Sequence, residues 1–229
     1  MNLQYRDVAK LIDHSLLKPD LTDRELEAGC ALARKYDVAS VCIMPYALER
    51  CVQLLLGSSV QPSTTVGFPH GGHTTGCKVF EAEHALADGA TELDMVVNIG
   101  KVLGGDYAYV KADINAVLSV TRDAGQKLKV IFENCYLGRS QKLALCEICS
   151  ELDVDWVKTS TGYGSSGATL EDIELMLDHT PPQVQVKAAG GVRTLEQVLE
   201  MRRLGVSRIG SSNTQVILDE LADRLGLEK

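Results

Sequence analysis

The 229 residues contain no low-complexity stretch and no composition shift that would mark a linker, so a single domain over residues 1–229 is expected. No apolar run is long enough to suggest a membrane span. Positive charge is in deficit: 23 Lys and Arg against 31 Asp and Glu leave a net charge of -8. That balance argues against a broad nucleic-acid or anionic-membrane face, while leaving room for a small local anion pocket. Cysteine is present without a framework. The seven residues are odd in number and irregular in spacing, as expected for reduced thiols and not for a disulfide scaffold. Cys146-Glu-Ile-Cys149 is a CxxC, but it falls within a helical pattern from Lys142 to Leu152 with no second pair. It reads as buried packing. His70 and His73 share a glycine-rich loop without a carboxylate at ligand spacing, so no metal is expected. Residues 1–7 lack a basic region followed by an apolar signal core, and a cytoplasmic location is expected.

What the chain does contain is alternation. The first apolar segment runs from Val8 to Ile12 and ends in Asp13-His14-Ser15. Thr22-Asp-Arg-Glu25 is a capping-box pattern that opens a helix to about Tyr36. Strands are expected over 38–43, 64–67, 92–97, 128–132, 154–157, 184–189 and 207–210, with helices between them. Eight short strands alternating with helices imply a parallel sheet covered by helices. Eight such units in a chain of this size favour a closed (β/α)8 barrel, an α/β fold of the TIM type, over an open doubly wound sheet. Periodicity alone does not prove closure.

In such a barrel the active face lies at the carboxyl ends of the strands. One stretch dominates those positions: Asp155-Trp-Val-Lys158-Thr-Ser-Thr-Gly162-Tyr-Gly164, in which an apolar run delivers a lysine into small hydroxyl residues and glycines. An ammonium at the end of a buried strand loses hydration, and therefore acquires a partner or a depressed pKa. A partly neutral lysine is a nucleophile toward carbonyls, whereas a charged one holds an anion. Lys187 stands one βα unit later, at the equivalent end of the next strand. A second ammonium nearby would lower the pKa of the first. Asp94 shares a face with Glu92 by the two-residue strand period, which suits it either to a proton relay or to a structural ion pair. Glu133 has the same ambiguity. His14 reads as a satisfied strand-end histidine and Cys42 as packing. After the last two strands, Gly190-Gly191-Val-Arg193 and Gly210-Ser211-Ser212 supply backbone N–H groups and hydroxyls where barrels often bind phosphate.

Together the segments Asp13-His14, Val41-Cys42-Ile-Met-Pro45, Gly67-Phe68-Pro69, Glu92-Leu-Asp94-Met-Val-Val-Asn98, Val157-Lys158-Thr-Ser-Thr-Gly162, Lys187-Ala-Ala-Gly-Gly-Val-Arg193 and Arg208-Ile-Gly-Ser211-Ser212 resemble the deoxyribose-phosphate aldolase family, in order and over nearly the whole chain. The resemblance implies a (β/α)8 barrel and a class I aldolase that needs no cofactor. Such an enzyme cleaves 2-deoxy-D-ribose 5-phosphate to acetaldehyde and D-glyceraldehyde 3-phosphate in deoxyribose catabolism. Its partners would be a sugar phosphate and an aldehyde, with no nucleic acid or membrane, in a homodimer or higher homo-oligomer. The resemblance makes Lys158 the Schiff-base lysine, Lys187 the lysine that perturbs it, and Asp94 the acid of the proton relay. Gly162, Gly190, Gly191, Gly210, Ser211 and Ser212 then fall in the phosphate site. Three features depart from the family pattern: Asn134 after Glu133, Asn213 where a second serine often follows, and a tail, 225–229, without the tyrosine that some members bring to the site.

Overall fold

Eight parallel strands pair in chain order, and the eighth returns to the first, so the sheet closes into a barrel. The computed structural model describes residues 3–227, and the last two residues of the tail noted above lie outside them. The strands are β1 (Ile12–Leu16), β2 (Ser40–Ile43), β3 (Gln61–Val66), β4 (Glu92–Val96), β5 (Lys127–Ile131), β6 (Trp156–Lys158), β7 (Gln185–Ala189) and β8 (Arg208–Ser211). The helices are α1 (Tyr5–Ala9), α2 (Asp23–Lys35), α3 (Leu48–Leu55), α4 (Thr75–Ala87), α5 (Ile99–Leu103), α6 (Tyr107–Asp123), α7 (Arg139–Leu152), α8 (Leu170–Asp178), α9 (Leu195–Leu204) and α10 (Thr214–Leu225). Closure is fixed by the β1–β8 register, which sets Ile12 beside Ile209, Asp13 beside Gly210 and His14 beside Ser211.

The two-residue period sorts each strand into an outer and an inner face. Outward residues such as Val41, Leu93, Met95, Leu128, Val130, Val157, Val186 and Ile209 join the core between barrel and helices. Each buried side chain of this size contributes roughly 1.5–3 kcal/mol, so the apolar stabilisation sits outside the barrel wall. The inward set of β4 to β8 is different: Glu92, Asp94, Lys129, Trp156, Lys158, Lys187 and Arg208 all line up on the interior. A barrel interior filled by branched apolar residues is the usual arrangement. Here salt takes their place.

Local signals account for the ends of several elements. The Thr22 hydroxyl accepts from the Glu25 N–H at 3.4 Å, and Glu25 accepts from the Thr22 N–H at 2.8 Å, completing the expected capping box of α2. Cys146 and Cys149 are buried within α7, in keeping with packing. Two expectations change. The apolar segment beginning at Val8 is split: Val8 and Ala9 belong to α1, which packs on α10, and the first strand begins only at Ile12. A short helix, α5, follows β4 where the sequence reads as loop, started by the Asn98 side chain, which accepts from the Lys101 N–H at 3.1 Å. Both helices have five residues, too few to display a helical period.

Candidate active site

Lys158 and Lys187 are direct register partners on β6 and β7. Both Nζ atoms donate to the same oxygen, Asp94 Oδ2, each at 2.7 Å. Asp94 arrives from β4 on the same interior face as Glu92, as the strand period requires. All three side chains are buried, with Lys158 at 3 % and Lys187 at 1 % exposure, so the carboxylate and amines interact in a medium that screens them poorly.

The two amines respond in opposite ways. Burial depresses the pKa of Lys158 below the ordinary lysine value, and Lys187 adds to that depression while Asp94 opposes it. Burial also works against the charge of Lys187, but Asp13 and Asp94 outweigh it and raise its pKa. The sequence argument names both lost hydration and the second lysine as causes of the depression. In the structure desolvation is the larger cause, and Lys187 is secondary. For Asp94, burial is offset by Lys129, Lys158 and Lys187, which hold it well below the usual carboxylate range, so it stays ionised.

One acid and one base of this cluster escape the sequence reading. Asp13 on β1 lies 2.5 Å from Lys187 Nζ and 2.8 Å from Arg208. Lys129 on β5 reaches Asp94 Oδ1 at 2.8 Å and Glu92 at 2.7 Å. The available signal for both was a charged residue inside an apolar strand, Ile12-Asp13 and Leu128-Lys129-Val130.

A cavity of about 350 Å³ opens above the amines. Asp13, Cys42, Lys158 and Lys187 form its floor, and Gly162, Gly190, Gly191, Gly210, Ser211 and Ser212 line its wall. Asp94 does not border it. The carboxylate lies behind the lysines, which both donate to it. Gly162 and Gly191 adopt φ of 93° and 79°, conformations that suit glycine, and a Cβ at either would enter open space. Gly190, at φ 86°, sits so close to Gly167 that a Cβ would lie 2.8 Å from its Cα. Ser211 departs from the expectation of a free hydroxyl. Its side chain donates to the Val192 carbonyl at 2.8 Å and accepts from the Asn213 N–H at 3.0 Å, so it ties β7 and β8 loops together. Ser212 is exposed at the rim, beside Arg193 and Lys18.

The remaining candidates fall into supporting places. Glu133 has φ 58°, and its carboxylate accepts from the Thr161 N–H at 3.2 Å and from the Thr161 hydroxyl. It therefore shapes the loop that follows Lys158. Asn134 is buried and donates to Met176 Sδ. Burial pushes His14 down to about 4, and its Nδ1 is bonded to Thr214 Oγ1 at 2.8 Å, so it is a satisfied neutral imidazole. Burial raises the Cys42 pKa, which keeps a protonated thiol on the cavity floor. Tyr163 closes one side: its hydroxyl donates to the Leu17 carbonyl at 2.5 Å and its ring meets Phe68 edge-on at 5.6 Å.

A buried amine with a depressed pKa, a cationic neighbour and glycine loops can bind an anionic carbonyl compound and form an imine with it. Comparison with known proteins agrees. Residues 7–212 match the family described as DeoC/LacD family aldolase. The deoxyribose-phosphate aldolase of Rhodopirellula baltica is 58% identical over 224 residues, covering 98% of this chain and 93% of that protein. The enzyme of the same name from Thermococcus kodakarensis is 44% identical, covering 95% and 98%. Among solved structures, QR15, an aldolase, superposes with a TM-score of 0.91 at 35% identity, covering 97% of this chain and 99% of that one. The tetrameric deoxyribose phosphate aldolase of Aeropyrum pernix superposes with a TM-score of 0.89 at 25% identity, covering 96% and 93%.

Proposed function

Since the chain belongs to the DeoC/LacD family of aldolases, we propose that it cleaves 2-deoxy-D-ribose 5-phosphate reversibly to acetaldehyde and D-glyceraldehyde 3-phosphate, with Lys158 as the imine-forming residue. The observation that carries this reading is the pair of lysines on Asp94 Oδ2, of which only Lys158 is shifted toward the neutral amine. Neutral Lys158 adds to C1 of the open-chain sugar, and the carbinolamine loses water to give an iminium. The iminium withdraws electrons, the C2–C3 bond breaks as the O3 proton leaves, and an enamine of acetaldehyde remains on the lysine. Glyceraldehyde phosphate departs. Protonation of the enamine carbon and addition of water then release acetaldehyde and the free amine. Lys187, charged and bordering the cavity, is suited to exchange protons with the ligand, and Asp94 behind it and Asp13 beside it on the cavity floor return them.

The glycine loops after β6, β7 and β8, with the rim of Ser212 and Arg193, suit the phosphate end of the substrate. We place the enzyme in the cytoplasm as a homo-oligomer. Its reduced cysteine usage supports the first, and the tetrameric relative supports the second.

The test is borohydride trapping with acetaldehyde, followed by intact mass and peptide mapping, alongside release of glyceraldehyde 3-phosphate from deoxyribose 5-phosphate. An ethyl group on Lys158 together with turnover is the expected result. Folded protein that binds sugar phosphate without forming any adduct would overturn the assignment.

A further inference from the structure

Beneath the reacting amines the barrel carries a second charged layer that the aldol steps do not touch. Lys129, fully buried, lies 2.8 Å from Asp94 Oδ1, 2.7 Å from Glu92 Oε2 and 3.8 Å from Asp13 Oδ2. Arg208 grips Glu92 at 2.7 Å and Asp13 at 2.8 Å, with its guanidinium 5.0 Å from the Trp156 ring centre. The resulting network is closed. It contains three carboxylates, Asp13, Glu92 and Asp94, and four bases, Lys129, Lys158, Lys187 and Arg208.

A fully protonated set would leave one uncompensated positive charge in a dry interior, which burial penalises heavily. One base must give up its proton. Arg208 cannot, given the basicity of a guanidinium. Lys129 and Lys187 each contact more than one carboxylate. Lys158 has a single carboxylate contact, which it shares with Lys187, and it faces the cavity. The groups facing it are Asp94 from β4, Lys187 from β7 and the Cys42 thiol from β2. Asp13 from β1 lies beside Lys187 on the cavity floor, and Lys129 from β5, Arg208 from β8 and Glu92 stand behind them.

We propose that Lys129 is a positioning residue for the aldol chemistry: it holds Asp94 by Oδ1 so that Oδ2 serves the two amines, and it supplies the excess of bases over acids that leaves Lys158 unprotonated. The inference rests on Lys158 as the nucleophile. It has a signed consequence. Lys129→Met equalises bases and acids, so Lys158 keeps its proton to higher pH. Glu92→Gln widens the excess and has the opposite effect. The double variant restores the original excess of one.

The experiment measures the initial rate of Lys158 ethylation by acetaldehyde and cyanoborohydride across pH, in all four proteins under identical conditions, with circular dichroism and melting as controls of folding. In Lys129→Met the pH of half-maximal trapping rises by about one unit or more, and in Glu92→Gln it falls by a similar amount. The double variant returns near the starting value. A purely structural lysine would lower the melting temperature and leave these midpoints in place. If every folded variant is ethylated at Lys158 with an unmoved midpoint, the inference fails and the aldolase reading stands. If the unsubstituted protein is not ethylated at any pH, that reading fails first. Should Lys129→Met not fold, Glu92→Gln and the double variant decide, and a midpoint that does not fall in Glu92→Gln overturns the inference.

Discussion

Lys158 and Lys187 share one carboxylate oxygen at equal distance, 2.7 Å each, and yet their basicities are pushed apart. The difference comes from what lies behind them. Lys187 also meets Asp13 at 2.5 Å, while Lys158 has no second acid and borders the cavity. On the proposed reading, identical side chains thus acquire different work, one as nucleophile and one as charged proton carrier.

The division predicts unequal variants. Lys158→Leu abolishes both the ethyl adduct and turnover, and it removes the surplus base, so the melting temperature does not fall. Lys187→Leu keeps a trappable Lys158 but slows turnover by about 10²–10⁴, the range of a lost acid–base group. Trapping, steady-state rates and thermal melts on both proteins check the pattern.

Asp94→Asn removes the one carboxylate contact of Lys158 and leaves Lys129 with Glu92 and Lys187 with Asp13 as their close acids. Breaking a buried pair from one side costs about 3–5 kcal/mol. The expected result is a lower urea midpoint together with turnover reduced at least as far as in Lys187→Leu. A variant with unchanged stability would mean that the network is not held by this carboxylate.

Acid should weaken the fold in two steps. His14 has its folded value near 4 against 6.5 unfolded, so the unfolded chain binds more protons between these values. Stability is full above the unfolded value and declines as pH falls toward 4, by roughly 3 kcal/mol. Asp13 and Asp94 have folded values below their unfolded ones. Their contribution is present above the unfolded carboxylate value and is lost as pH drops through the folded ones. Urea titrations at stepped pH check both, and His14→Asn should flatten the upper step alone.

Gly191→Ala tests the phosphate wall. The left-handed φ of 79° costs an alanine about 1–2 kcal/mol, and the methyl projects into open space without a clash. KM for deoxyribose 5-phosphate should rise about tenfold, as expected if one charge-assisted contact is lost. Cleavage of unphosphorylated deoxyribose should be unchanged. An equal loss with both substrates would remove Gly191 from the phosphate site.

The alternation of short apolar runs with capped helices determined the βα units, since strand and helix periods and caps such as Thr22–Glu25 are properties of neighbouring residues. The pairing of Lys158 with Lys187 followed from one-unit spacing in a parallel sheet, and the common face of Glu92 and Asp94 from the strand period. The roles of Lys129, Asp13 and Arg208 were not legible. A charged residue in a five-residue strand carries no local sign of which acid or base will meet it. Closure of β1 on β8 brings Asp13 to Arg208 from opposite ends of the chain, and the barrel register sets Lys129 beside Asp94. The sequence by itself determined the βα units and the place of Lys158 at a strand end, because periodicity and spacing are local. The tertiary structure alone decided the closure of the barrel and which lysine is shifted toward the neutral amine, because these depend on the pairing of distant strands, the charge of the whole buried network and the burial around it.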